Sequence, residues 1–186
     1  MMRRITVAVA AMALLAACSQ TADNDTQAPA TPQPNQADVT FTQSMIPHHQ
    51  QAIEIAELIK ASTTRPELVK LAGDITTTQG QEITRMRGWL RGWGKPEAMT
   101  GMDHDQTSMP GMMDQAEMDQ LQGLKGAQFD LAFVDMMTRH HQGAIQMANT
   151  ELKDGSLPDV KQLAQQIITA QQREVRQLAA WKQAWA

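Results

Sequence analysis

FTQSMIPHHQQAIEIA (residues 41–56) and FVDMMTRHHQGAIQMA (residues 133–148) are one segment written twice. Extended without a gap, residues 41–93 align with 133–185 at an offset of 92, with 17 identities in 53 positions. Phe41, Met45, His48, His49, Gln50, Ala52, Ile53 and Ala56 recur in the first half of the repeat. Pro66, Leu71, Ala72, Ile75, Thr77, Gln79, Glu82, Trp89 and Trp93 recur in the second.

Each copy reads as a helical hairpin, because apolar residues return every three to four positions in both halves. The halves meet at TRPE (64–67) and SLPD (156–159), Ser/Thr-x-x-acid patterns with proline in the first turn. GKP at 94–96 closes the first hairpin. The fold class expected is all-α: an antiparallel four-helix bundle over 39–186, made of duplicated hairpins 41–93 and 133–185. A connection over 94–127 holds one short helix, capped by Asp114 with Glu117 three residues on. Pro47 is expected either to kink the first helix or to delay its start to about Ser44.

Outside the repeat, Met1 to Arg4 is a basic start and Ile5 to Ala17 an apolar stretch too short to span a bilayer. LLAAC (14–18) resembles a bacterial lipoprotein cleavage box, which implies a signal peptide over 1–18 and a lipidated Cys18. Ser19 in place of Asp favours the outer over the inner membrane. The Pro/Gln/Thr/Asp-rich stretch 19–38 reads as a flexible tether. With 16 Lys+Arg against 20 Asp+Glu there is no basic surface for nucleic acid. The single cysteine rules out both a disulfide framework and a thiolate cluster.

At 100° per residue, Met45, His48, His49, Ala52 and Ala56 share one stripe, repeated by Met137, His140, His141, Ala144 and Ala148. Such a stripe belongs to Leu and Ile, so paired imidazoles there need partners. Gln79 with Glu82, and Gln171 with Glu174, sit in the apolar stripes of the second and fourth long helices. Folding each hairpin back near residue 63 sets Gln79 beside His48 and Glu82 beside Met45. With the first and third long helices parallel, four His, two Met and two Glu then form one layer about 10 Å from the bundle end. That composition describes a metal site with Gln79, Glu82, Gln171 and Glu174 supporting the ligands.

Di-iron bundles place Glu three residues before each His, whereas this chain places Met, and thioether with imidazole suits Cu(I). The connection adds Met99, Met102, His104, Met109, Met112, Met113 and Met118. They read as a soft-metal lid over the histidines, with most of the methionines in 99–113 expected to be dispensable for the fold. Affinity is expected to weaken as pH falls through about 6.5, where free imidazole protonates. The tryptophan pairs are expected to pack in the core near the same end.

The doubled Met-x-x-His-His motif with MPGMM (109–113) between its copies resembles the domain-of-unknown-function 305 family over 41–186. The resemblance implies a ferritin-like bundle, exported, in a family that includes CopM-type periplasmic copper-binding proteins. It carries onto Met45, His48, His49, Met137, His140 and His141, and onto Met109, Met112 and Met113. The expected function is copper binding, Cu(I) first and Ag(I) also, for periplasmic sequestration or handover to a partner protein. The chain is expected not to be an enzyme, with membrane contact through the lipid anchor only. A ferritin-like metal-dependent redox enzyme and a metal-free interaction module are the alternatives.

Overall fold

A computed structural model describes residues 33–98 and 109–185. They form α1 (Gln36–Glu57), a single turn α2 (Ile59–Ser62), α3 (Pro66–Gly92), α4 (Gln115–Gly123), α5 (Gly126–Asp154) and α6 (Pro158–Trp185), and no strand lies among them. No helix among the described residues is long and apolar enough to cross a membrane. Cys18, the leader and most of the tether stretch lie outside the described residues, as do Met99, Met102 and His104.

The helix ends follow local chemistry. Asn35 and Asp38 make a reciprocal capping box, Asp38 N–H to Asn35 Oδ1 at 3.0 Å and Asn35 N–H to Asp38 Oδ2 at 2.7 Å. α1 therefore begins at Gln36, and the tether expected to reach residue 38 gives up its last residues to the helix. α1 then runs unbroken through Pro47, so the late start near Ser44 is not what happens. Past α3, Gly94 takes φ +64. Gly94 N–H then reaches Arg91 O at 3.1 Å and Lys95 N–H reaches Leu90 O at 2.9 Å, the Schellman pattern that glycine permits. Asp114 and Glu117 cap α4 reciprocally, as the sequence predicts.

The two Ser/Thr-x-x-acid boxes do not form. α3 starts from Arg65 without a side-chain cap, and Thr63 Oγ1 accepts the Arg65 N–H at 3.1 Å. α6 is capped from another helix: Asp38 Oδ1 accepts the N–H groups of Ser156 at 3.1 Å and Leu157 at 2.9 Å. Ser156 Oγ donates to Asp38 Oδ2 at 2.6 Å. Burial alone would raise the Asp38 carboxyl, but these bonds and the one from Asn35 outweigh it and hold it below the usual range. Asp130, its counterpart 92 residues on, takes Arg65 Nε at 2.6 Å.

These contacts set the topology. The start of α1 lies against the end of α5, and the turn before α3 against the start of α5. α1 and α5 therefore run antiparallel, and the parallel arrangement expected from the sequence is incorrect. Gln43 Nε2 donates to Pro96 O at 2.8 Å and Lys125 Nζ to Ser62 Oγ at 3.0 Å, so the connection between hairpins travels the length of α1. A short loop would have allowed the parallel arrangement; this one is a crossover. The hairpins α1/α3 and α5/α6 pack through α1 and α5, and the duplication becomes an internal twofold. Two apolar clusters fill the two ends, one around Ile55, Leu68, Phe129 and Phe133, the other around Val39, Met86, Leu90 and Leu163. The tryptophans divide between them: Trp181 and Trp185 pack on the first, Trp89 and Trp93 on the second.

Candidate metal centre

His48 stands 12 residues into α1 and His140 14 residues into α5, so their level lies about 18–21 Å along the helices. The layer is central, deeper than the 10 Å expected, because both helices start earlier than the repeat does. All four imidazoles are fully buried. His48 and His140 meet across the twofold with ring centroids 3.8 Å apart. His49 Nε2–H donates to Glu82 Oε2 at 2.8 Å. His141 Nε2 stands 2.7 Å from Glu174 Oε2, off the line of a hydrogen bond. Both carboxylates are one helical turn from where a fold-back near residue 63 would put them. The chain reverses between Ser62 and Pro66, and between Asp154 and Pro158 in the other copy, later than residue 63, so Glu82 meets His49 rather than Met45.

The antiparallel topology also corrects the single eight-residue layer. Met45 and Met137 are both fully buried, three residues before His48 and His140. With α1 and α5 opposed, they fall about one turn on opposite sides of the stacked rings, in different apolar clusters. The two methionines bracket the layer rather than join it.

The electrostatics favour neutral rings. Burial first, and the neighbouring imidazoles second, lower His48 to about 3 and His140 well below its usual value. The shifts place protonation of this pair below the pH of about 6.5 expected from a free imidazole. His48 Nε2–H donates to Pro110 O at 3.0 Å, which fixes the tautomer and leaves a lone pair on Nδ1. The Nδ1 atoms of His48, His49 and His141 and both ring nitrogens of His140 are buried without a hydrogen-bond partner. Among the described residues no three His, Cys, Asp or Glu side chains form a ready-made chelate. Cu(I) and Ag(I), which accept low coordination numbers and thioether donors, fit this set better than a hard cation that needs several anionic ligands.

Part of the expected lid is in place. Pro110 O would lie 1.8 Å from any Cβ at Gly143, and a Cβ at Gly111 (φ +80) would lie 2.5 Å from Arg139 O. Two glycines thus let the 109–113 strap lie directly on α5 beside His140. Gln51 clamps Met113 through both backbone groups, Met113 N–H to Gln51 Oε1 at 2.9 Å and Gln51 Nε2 to Met113 O at 2.8 Å. Met112 and Met113 are buried, and Met113 belongs to the same cluster as Met137. Burial sets these two apart from the methionines expected to be dispensable for the fold. Met109 is only half-buried.

Sequence reasoning passed over Gln51 and Gly143, which occupy the same position of the two copies. A glycine in mid-helix costs about 1 kcal/mol against alanine. It stood where the other copy has Gln51, and that was the available signal.

Comparison with known proteins identifies the family and the fold. The family described as "Domain of unknown function (DUF305)" matches residues 38–182. A DUF305 protein from Streptomyces coelicolor, inferred to be secreted, is 32% identical with a TM-score of 0.75, over 80% of this chain and 93% of that one. CopM in a Cu(II)-bound form is 35% identical with a TM-score of 0.69, over 80% and 97%. Its Cu(I)-bound form is 33% identical with a TM-score of 0.68, over 80% and 96%. CopM has also been solved with silver. No curated protein matches the chain significantly.

Proposed function

The chain belongs to the DUF305 family, and from that premise we propose that it is an exported copper-binding protein, not an enzyme. It takes up Cu(I), and Ag(I) by the same chemistry, for sequestration in the periplasm or handover to a partner protein. The four long helices are read as a ferritin-like bundle with a crossover, anchored through a lipidated Cys18, with the outer membrane favoured. The observation that carries the reading is the buried layer itself: four imidazoles, each with an unpartnered ring nitrogen, with His48 and His140 in contact across the internal twofold. An unpartnered buried polar atom costs about 1–3 kcal/mol, and a soft cation supplies the missing partner.

His48 and His140 supply nitrogen, with Met45 and Met137 as thioether donors above and below. Glu82 holds His49 by Nε2 and Glu174 stands beside His141 Nε2, leaving both Nδ1 atoms available, as carboxylates do behind metal-bound imidazoles. Gln79 and Gln171 support the same level. Met109, Met112, Met113, Met99, Met102 and His104 are the strap's donors for collecting copper before it reaches the layer.

Metal analysis of protein purified from copper-supplemented and unsupplemented cells tests the reading. Copper that follows supplementation, and is lost in a His48→Leu/His140→Leu variant, is the expected result. Stoichiometric iron with no copper would replace it with the redox-enzyme alternative.

A further inference from the structure

The strap covers the α1/α5 face of the His layer, whereas the opposite face, between α3 and α6, stays open. A small cavity of about 10 Å³ lies there, roughly one water-sized sphere. Its lining is four residues of α3 and the four residues of α6 that lie 92 positions on, so it sits on the internal twofold. Everything in it therefore occurs in duplicate, including Gln79 with Gln171 and Glu82 with Glu174.

Two of the polar atoms lining this cavity are buried oxygens without donors. Gln79 Oε1 and Gln171 Oε1 are buried and unpartnered, on side chains only 3% exposed. Glu82 and Glu174 each direct one oxygen to an imidazole, and their other oxygens have no partner among the described residues. They are also slightly exposed, at 13% and 16%. The cavity adjoins a trough of about 290 Å³ that shares Thr78, Ala170 and Glu174 with it and adds Asp74 and Arg173. Two carboxylates and two amide oxygens around a volume for one monatomic species suit a cation.

We propose that Gln79, Glu82, Gln171 and Glu174 form a second metal site, an oxygen-lined seat for a divalent cation on the α3/α6 face, with Cu(II) preferred. It rests on the copper-binding reading and adds to it a division of labour. Soft donors on the strap side take Cu(I), hard donors on the cleft side take Cu(II), and the imidazole layer separates them. Cu(II) comes first because oxygen and nitrogen sites follow the order in which it binds most tightly of the first-row divalent ions.

The test is titration of the metal-free full-length protein with Cu(II) alone, read by isothermal calorimetry and electron paramagnetic resonance, and separately with Cu(I) under reducing conditions. Gln79→Leu/Gln171→Leu removes both amide oxygens without adding charge. Glu82→Gln/Glu174→Gln keeps the side-chain shape and provides the answer if the first variant does not fold. Each should raise the Kd for Cu(II) by about tenfold or more and change the Cu(II) spectrum, and the loss of Cu(II) affinity should exceed any loss of Cu(I) affinity. Met45→Leu/Met137→Leu should do the reverse. Unchanged Cu(II) affinity and spectrum in the folded glutamine or glutamate variant overturns the proposal, as does wild-type protein that binds no Cu(II). Cu(I) binding indifferent to the methionines and to His48 and His140 instead overturns the copper reading of the core, a separate outcome.

Discussion

The imidazoles of His48 and His140 lie with centroids 3.8 Å apart and planes inclined by 39°, and both are fully buried. They come from the same position of a duplicated hairpin and meet on the axis that relates the copies. One proton on either ring would sit against the other, so the folded protein holds both neutral.

That neutrality makes the metal-free fold acid-sensitive. Unfolded imidazole titrates near 6.5, whereas burial and the neighbouring imidazoles lower His48 to about 3 and hold His140 well below its usual value. Below pH 6.5 the unfolded chain therefore binds protons that the folded chain refuses, and stability falls as pH falls. The slope is up to about 1.4 kcal/mol per pH unit for each ring. Urea unfolding of metal-free protein between pH 7 and 4 should show it, and His48→Leu/His140→Leu should flatten it. An equal slope in both proteins would mean that the rings protonate while folded.

The strap depends on glycine at the one place where two backbones touch. Gly143→Ala puts a methyl into Pro110 O, so the strap must lift and release the His48 hydrogen bond. The expected cost is about 1–3 kcal/mol, with faster proteolysis in 94–113 and the α-helical circular dichroism retained. An alanine variant with wild-type stability and proteolysis would show that the strap does not rest there.

How much of this was legible turned on where the signals were local. The repeat identified the helices, the Met-x-x-His-His stripes and the Asp114 cap, because each is written within one helix or one turn. The direction of the third long helix was not, since it depends on whether residues 94–127 double back or cross the bundle. Contacts such as Asp38 to Ser156 decide that, and they join residues 118 apart. The Glu82 partner was misplaced by one turn for a smaller reason: the reversal lies between Ser62 and Pro66, slightly later than apolar spacing places it. The capping box at Asn35 and Asp38 was legible but used Asn and Asp in place of Ser/Thr and Glu.

The strap's methionines should separate by burial. Met112→Ser/Met113→Ser opens a cavity and buries a hydroxyl beside Leu121 and Phe133, with an expected loss of about 2–5 kcal/mol. Met109→Ser should stay within about 0.5 kcal/mol, because its side chain is half in solvent already. Thermal unfolding of the metal-free variants distinguishes them; equal, small effects would return 112 and 113 to the dispensable class.

The last prediction concerns a position where the copies disagree. Glu151 falls 92 residues after Ile59; both are buried, but only Ile59 sits in an apolar cluster. Glu151 has neither carboxyl oxygen partnered. It borders a mainly apolar cavity of about 160 Å³ lined by Ala37, Phe41 and Met147. Burial first, and the adjacent Asp38 second, raise it to about 8. A carboxyl that keeps its proton in the fold while the unfolded chain ionises near 4.5 makes stability fall as pH rises from about 4.5 to 8, and level off above. Glu151→Ile installs the other copy's own residue, fills part of the cavity and removes that slope. The variant should gain on the order of 1–3 kcal/mol at pH 7, less at pH 5 and most at pH 9. Urea midpoints at the three pH values check this. A variant less stable than wild type at pH 9, or a gain that does not change with pH, would show that Glu151 is ionised and satisfied in the folded protein.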